Sequence, residues 1–94
     1  MISFTPIAID LTGTTTKAAF HQTMKTQLGF PDWYGGGWDA FWDAIIAVVE
    51  MPDTVELQHW EAFAQACPRD MGILRDIIAN YPREVPGKQL LLAS

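Results

Sequence analysis

The stretch FHQTMKTQLGFPDWYGGGWDAFWDAI, residues 20–45, joins two helical patterns through a loop rich in aromatic residues and glycine. In the first pattern, apolar residues recur every four positions, at Phe20, Met24 and Leu28. The threonines at positions 14–16 offer N-caps for this helix, and Gly29 is a typical residue to end it. The sequence therefore predicts a helix that stops just before the loop.

The second pattern predicts a helix from about Trp38 to Met51, because Pro52 prevents its continuation. At 100° per residue its large apolar residues form one broad face. These residues are Trp38, Phe41, Trp42, Ile45, Ile46, Val48 and Val49. Three carboxylates, Asp39, Asp43 and Glu50, fall along one edge of that face. The helix thus has a core side and, beside it, an edge of aromatic and acidic side chains.

Outside this stretch, short strand patterns alternate with helical ones. Apolar residues predict three strands, within residues 3–11, 54–60 and 89–93. A short helix over residues 61–66 is followed, after Pro68, by another with Met71, Leu74 and Ile78 at helical spacing. Residues 82–88, PREVPGK, are expected to form a loop. Because helices separate the strands, the predicted fold class is α/β, a small three-stranded parallel sheet packed with about four helices.

The charges of this chain are unevenly distributed. Its net charge is −5, and no Lys or Arg occurs between Lys25 and Arg69. Seven acids lie in that interval: Asp32, Asp39, Asp43, Glu50, Asp53, Glu56 and Glu61. Such a field repels the phosphates of nucleic acids and anionic membranes, and it attracts cationic surfaces. We therefore expect a cationic protein partner, and neither a nucleic acid nor a membrane as a partner.

The remaining composition gives expectations about compartment and cofactors. Cys67 is the only cysteine, which excludes an internal disulfide, and no Cys/His set has the spacing of a zinc site. The first residues, MISFTPIAIDLTG, lack the basic region and long apolar run of a secretory signal. The sequence therefore predicts a cytoplasmic protein with no cofactor and no bound metal.

The acidic helix edge needs an explanation beyond helix stability. Asp39 lies in the first turn, where a carboxylate favours the positive end of the helix dipole. Asp43 lies one turn later, and like charges four residues apart cost roughly 0.2–0.5 kcal/mol unless something offsets them. A cationic partner would offset them. The segment also contains more aromatic residues than a small core requires, namely Trp33, Tyr34 and Trp42. Surplus aromatic residues beside charges are typical of an interface hot spot.

Two enzymatic alternatives have less support. Gly35, Gly36 and Gly37 resemble a phosphate cradle only weakly, because the G-x-G-x-x-G spacing is absent and the surrounding sequence is acidic. The pair Asp39 and Asp43 is a candidate acid and base or divalent-ion site, but both lie on one helix face and no third ligand is evident. His21 and His59 are isolated, and Cys67 has only Arg69 nearby to activate its thiol. We therefore expect no catalytic residues and no enzymatic activity.

The run over residues 20–45 resembles the central signature of the barstar family. The similar positions are Phe20, His21, Leu28, Pro31, Tyr34, Gly35, Asp39, Ala40, Trp42 and Asp43. The family fold is a small parallel three-stranded sheet packed with helices, and the predicted order of elements fits it along the whole chain. The resemblance implies a single barstar-like domain over residues 1–94.

The resemblance also implies a function and a site. Barstar is an intracellular inhibitor of the secreted guanyl-preferring ribonuclease barnase. The family plugs the ribonuclease active site with its second helix and the preceding loop, so that acidic side chains replace the RNA phosphates. By position, Asp43 is the main phosphate mimic and Asp39 its neighbour. The implied partner-binding residues are Trp33, Tyr34, Gly35, Gly37, Asp39, Trp42 and Asp43, in a monomer that forms a 1:1 complex.

Three departures from the family pattern bear on which partner is bound. Gly37 stands where barstar has Asn, Val48 replaces a contacting Trp, and no acid lies near Asn80 where barstar has an interface Glu. They favour a ribonuclease other than barnase, or immunity against a ribonuclease toxin domain. Two alternatives remain at this stage, an interaction module with a non-nuclease partner and a carbohydrate-binding or carbohydrate-hydrolysing domain built on Trp33, Trp42 and the two aspartates.

Overall fold

A computed structural model of the protein describes residues 6–93. Its elements are β1 (Ile7–Asp10), α1 (Lys17–Leu28), α2 (Trp38–Asp43), a π-helical turn (Ala44–Val48), β2 (Thr54–Gln58), α3 (Glu61–Ala66), α4 (Pro68–Glu84) and β3 (Gln89–Leu92). Within this described part, every helix is too short or too polar to cross a membrane.

The three strands form one parallel sheet in the order β1-β2-β3. Ile9 is in register with Leu57, and Val55 with Leu90. These four side chains are buried on the face of the sheet that the helices cover. The structure confirms the predicted α/β class with its three-stranded parallel sheet and four α-helices. Of the first predicted strand, residues 3–5 lie outside the described residues.

Helix α1 begins and ends where the sequence predicts. The Thr16 hydroxyl accepts a hydrogen bond from the Ala19 N–H at 3.1 Å, which satisfies one of the free donors of the first turn. At the other end, Gly29 adopts φ 70°, and its N–H donates to the Lys25 carbonyl. A side chain at position 29 would be strained in this left-handed conformation, so glycine ends the helix there.

The second helix differs from the prediction of one continuous α-helix to Met51. It is α-helical only to Asp43 and continues as a π-turn from Ala44 to Val48. The Val49 N–H donates to the Ala44 carbonyl, five residues back, at 2.9 Å. Because a π-turn holds an extra residue, the positions after it rotate away from the α-helical face. Val48, predicted on the buried face, is therefore 46% exposed.

Helix α4 is longer than predicted, and the expected loop from Pro82 was wrong in its first residues. The helix continues through Pro82 to Glu84. Tyr81 is fully buried, its hydroxyl donates to the Ile45 carbonyl at 3.3 Å, and its own carbonyl accepts from the Val85 N–H. Packing and this last hydrogen bond hold the final turn in spite of the proline.

An aromatic cluster joins the helices that carry the central stretch. The Phe20 ring is stacked on Phe63 with centroids 5.0 Å apart, and it contacts Trp38 at 5.2 Å and Phe41 at 5.8 Å. Phe20, Phe41 and Phe63 are fully buried. The cluster fixes α1, α2 and α3 relative to one another and thereby positions the loop and the acidic edge of α2.

Candidate functional site

The acidic edge of α2 is exposed and carries uncompensated charge. Asp39 and Asp43 are both exposed, and because α2 is α-helical over this range they lie one turn apart on one face. Among residues 6–93, the ion pair within 4 Å is Lys88 with Asp53, at 3.5 Å. Neither α2 carboxylate therefore has a cationic partner in the described chain.

Trp33 lies in the loop before α2 and is the most exposed of the large apolar residues in the described chain. Its side chain is 70% exposed, next to the exposed Asp32 and close in sequence to the exposed Gly35. Burying the apolar surface of an exposed indole against a partner protein is favourable. Trp33 is thus an exposed aromatic side chain in the loop that leads into α2, whose exposed carboxylates are Asp39 and Asp43.

Tyr34 takes a different place from its neighbour Trp33. It is only 5% exposed, and its hydroxyl lies 2.6 Å from Nδ1 of the buried His21. Its ring packs edge-on against Phe30 at 4.7 Å. The Tyr34 N–H donates to the Pro31 carbonyl at 2.9 Å, which closes a tight turn. Tyr34 thus holds the loop that presents Trp33 and Gly35, rather than presenting its own ring.

Trp42 and Trp38, the two tryptophans of α2, are half-buried. The Trp38 indole N–H donates to an Asp70 carboxylate oxygen at 2.9 Å, which ties α2 to α4. Trp42 packs edge-on against Tyr81 with centroids 6.4 Å apart. Trp42 also borders a groove of about 360 Å³ along α4, whose other lining residues are Ile73, Asp76, Ile77, Asn80, Arg83 and Glu84. Trp42 is therefore accessible from the side of this groove.

The loop glycines support a close approach of another surface. Gly36 and Gly37 adopt φ 89° and 91°, conformations that side chains disfavour. Gly37 is the N-cap of α2 and makes no side-chain hydrogen bond there. A Cβ atom at Gly35 or Gly37 would meet no heavy atom within 4 Å, so the space outside the main chain is open.

Within residues 6–93, the candidate acids and bases lie apart from one another or on one helix surface. Asp39 and Asp43 are neighbours on the surface of one helix and do not face each other across a cleft. His21 is buried, and among the described residues no cluster of three or more His, Cys, Asp and Glu side chains is placed to hold a metal ion. The free thiol of Cys67 lies 3.4 Å from the Thr15 carbonyl.

Buried His21 is held in its neutral form. Burial, and to a smaller extent the charge of Lys17, lowers the pKa of His21 from 6.5 to about 4, against the opposing effect of Asp70. Burial raises the pKa of Tyr34 to about 12, so its hydroxyl keeps its proton. Assigned from this hydrogen-bond network, the Tyr34 hydroxyl donates to Nδ1 and the ring proton sits on Nε2.

We expect the fold to lose stability on mild acidification because of His21. The folded pKa lies below the unfolded value, so the unfolded chain binds the proton first as the pH falls. The stability that comes from keeping His21 neutral is fully present above pH 6.5. As the pH falls from 6.5 to about 4, the free energy of unfolding decreases by at most about 1.4 kcal/mol per pH unit. Urea unfolding at several pH values measures this loss. His59→Gln, at an exposed histidine, is the control that should keep the loss, and an unfolding free energy that stays constant over this range would contradict the assignment.

The fold and surface define a class of protein, a small α/β domain with exposed carboxylates along one helix edge. Comparison with known proteins gives the family. A family model described as Barstar (barnase inhibitor) matches residues 4–92, so the chain belongs to the barstar family.

A curated relative matches the chain over part of its length. The Bacillus subtilis (strain 168) protein named "Putative ribonuclease inhibitor YrdF" is 42% identical over 41 residues, which are 44% of this chain and 45% of that protein. The match therefore covers less than half of that relative.

Proposed function

We propose that this protein inhibits a barnase-type, guanyl-preferring ribonuclease by plugging its cationic active site. The observation that carries the proposal is a pair of exposed carboxylates, Asp39 and Asp43, that have no cationic partner among residues 6–93 and lie on the helix that follows the exposed Trp33. The family's description as barnase inhibitors and the printed name of the Bacillus subtilis relative support it. We place this action in the cytoplasm, because a single cysteine suits a reducing compartment.

Inhibition follows from charge and shape. In the complex, Asp43 takes the position of an RNA phosphate among the basic side chains of the ribonuclease, with Asp39 beside it. The loop at Gly35 and Gly37 lets the partner's surface approach the main chain, and Trp33 and Trp42 supply apolar contact. Tyr34, bonded to His21, keeps the loop in place. Because α2 fixes the backbone positions of Asp39 and Asp43 before binding, only their side chains have to become ordered in the complex.

The three departures from the family pattern point to a partner other than barnase. Gly37 caps α2 without a side-chain hydrogen bond, and Val48 offers a small exposed apolar surface where barstar has a tryptophan. On α4, the side-chain amide of Asn80 donates to the Asp76 carbonyl of its own helix. The partner's surface should differ from that of barnase at these three positions, as expected for a different ribonuclease or a ribonuclease toxin domain.

Substrate mimicry can be tested by competition. A ribonuclease that carries a bound, non-cleavable oligonucleotide should release it when this protein is added, because the two ligands occupy the same cationic site. Fluorescence anisotropy of a labelled oligonucleotide measures the release. Formation of a stable ternary complex of ribonuclease, oligonucleotide and inhibitor would contradict the proposal.

Association with the ribonuclease should be fast and strongly dependent on salt. An acidic surface steering toward a cationic site predicts a rate constant on the order of 10⁸ M⁻¹s⁻¹ or more at low salt. The rate should fall steeply as the Debye length shrinks from about 30 Å at 0.01 M salt to about 3 Å at 1 M. Stopped-flow fluorescence measures it, and a rate that ignores ionic strength would rule out electrostatic mimicry.

A further inference from the structure

A second feature of the glycine loop is a cavity on its α1 side. The cavity measures about 400 Å³ and lies between α1 and the three glycines at positions 35–37. Lys17, His21 and Lys25, four residues apart on one face of α1, line it together with Tyr34. A cavity of this volume falls within the usual range of small-molecule sites.

The residues that line this cavity carry a net positive charge, whereas the chain as a whole carries a net negative one. The protein has eleven Asp and Glu residues against six Lys and Arg. None of the eleven acids lines the cavity, whereas two of the six cations, Lys17 and Lys25, do. Within residues 6–93 neither ammonium group lies within 4 Å of a carboxylate, and Lys25 donates only to the backbone carbonyl of Asp32 at 3.3 Å.

Hydrogen-bond donors without acceptors border the same cavity. The N–H groups of Gly35, Gly36 and Gly37 have no backbone acceptor in the described part of the chain. His21 is 4% exposed, and its Nε2, which has no hydrogen-bond partner among the described residues, is itself buried, so the accessible donors are those of the loop backbone. A Cβ at Gly36 would lie 3.5 Å from that of His21, an ordinary contact distance, so the loop backbone at Gly36 packs directly beside the His21 side chain. Donors gathered in this way favour a ligand with several acceptor oxygens.

Folding alone does not explain Lys17. It is the first residue of α1, where a cation opposes the helix dipole, and no acid in the first turn offsets it. Its charge also acts on the buried His21, which it helps to hold neutral. A bound anion beside Lys17 would offset the unfavourable interaction of its charge with the helix dipole.

We propose that the cavity between α1 and the glycine loop binds a phosphate group, as free phosphate or as a phosphate monoester, through Lys17, Lys25 and the glycine N–H groups. The site lies on the α1 side of the loop, and neither Asp39 nor Asp43 lines it. This inference goes beyond ribonuclease inhibition and does not depend on it.

The experiment follows the backbone amides by heteronuclear NMR while phosphate is added near neutral pH, where a phosphate monoester carries close to two negative charges. We expect saturable shifts of the Gly35, Gly36 and Gly37 amides with inorganic phosphate, and none with sodium chloride at equal ionic strength. Adenosine and guanosine monophosphates, with the free nucleosides as controls, distinguish the two sources. Tighter binding of the nucleotides assigns the site to a monoester, and equal binding assigns it to phosphate alone.

Two sets of variants make the test specific. Lys17→Met and Lys25→Met together should abolish the shifts, and Lys17→Met alone, which removes no intramolecular hydrogen bond, should weaken binding at least several-fold. The matched control, Arg69→Met with Arg83→Met, removes two exposed cations elsewhere and should bind phosphate as the wild type does. Equal shifts with chloride, or saturable shifts that persist in a folded double-lysine variant, would overturn the proposal.

Discussion

Replacing Asp43 by alanine is expected to weaken the complex with the ribonuclease by about 2–5 kcal/mol, which is roughly thirty-fold to several thousand-fold in Kd. In the complex with the variant, the basic groups of the ribonuclease are removed from water but no longer meet the carboxylate that compensates their charge. These general values include measurements on the barnase complex itself, the type complex of this family. Asp43 is exposed and makes no ion pair in the described chain, so its removal should leave the fold intact. Isothermal titration calorimetry with the wild type and the variant measures the loss.

A matched control separates the loss of a contact from the loss of net charge. Glu61→Ala removes one negative charge from the exposed start of α3. It should slow association slightly through the weaker overall field and change Kd by less than about 0.5 kcal/mol. If Asp43→Ala and Glu61→Ala weakened the complex equally, the α2 edge would not be the binding site.

Replacing Phe20 by alanine is expected to destabilise the fold by about 3–5 kcal/mol. Phe20 is fully buried between α1, α2 and α3, where its ring contacts Phe41 and Phe63. A chain of this size has a total stability of roughly 5–14 kcal/mol, so this one change removes a large share of it. Urea unfolding followed by circular dichroism should show a lower midpoint with an unchanged slope.

The control for this prediction is Val48→Ala. Val48 is 46% exposed on the π-turn, so losing its two methyl groups should cost less than about 0.5 kcal/mol. Comparable losses for Phe20→Ala and Val48→Ala would show that the aromatic cluster is not the centre of the core.

Local signals in the sequence were sufficient for α1 and for the sheet. Thr16 and Gly29 act through their own hydroxyl and backbone conformation, which depend little on the rest of the fold. The three strands were identifiable because apolar side chains facing the core recur along them, as Val55 and Leu57 do. Parallel pairing then followed from the helices between the strands.

The π-turn and the end of α4 could not be predicted in this way, because both depend on contacts between distant residues. A periodicity of 100° per residue assumes an α-helix throughout and therefore placed Val48 in the core. Pro82 is a local signal for a helix end, but the buried Tyr81, bonded to the Ile45 carbonyl, keeps the chain helical past it. No local pattern contains that hydrogen bond.

The positions of the charges in the candidate site were predictable from the sequence. Which aromatic side chains are exposed and which support the loop from inside was not. Asp39 and Asp43 could be placed on one exposed edge from their spacing alone. Tyr34 and Trp33 are adjacent in the sequence, and only the hydrogen bond to His21 distinguishes the buried ring from the exposed one. Lys17 and Lys25 lie at least ten residues before the glycines in the sequence, whereas the nearby charged residues are acidic. Only the fold shows that both lysines line the same cavity as the glycines.

The measurement that tests the central claim most directly is a titration of this protein into an RNA-cleavage assay with several barnase-type ribonucleases and ribonuclease toxin domains, each at a concentration above the expected Kd. The account predicts that cleavage by at least one of them falls linearly to zero at one inhibitor per enzyme. Full cleavage by every enzyme at a large excess of this protein would contradict it.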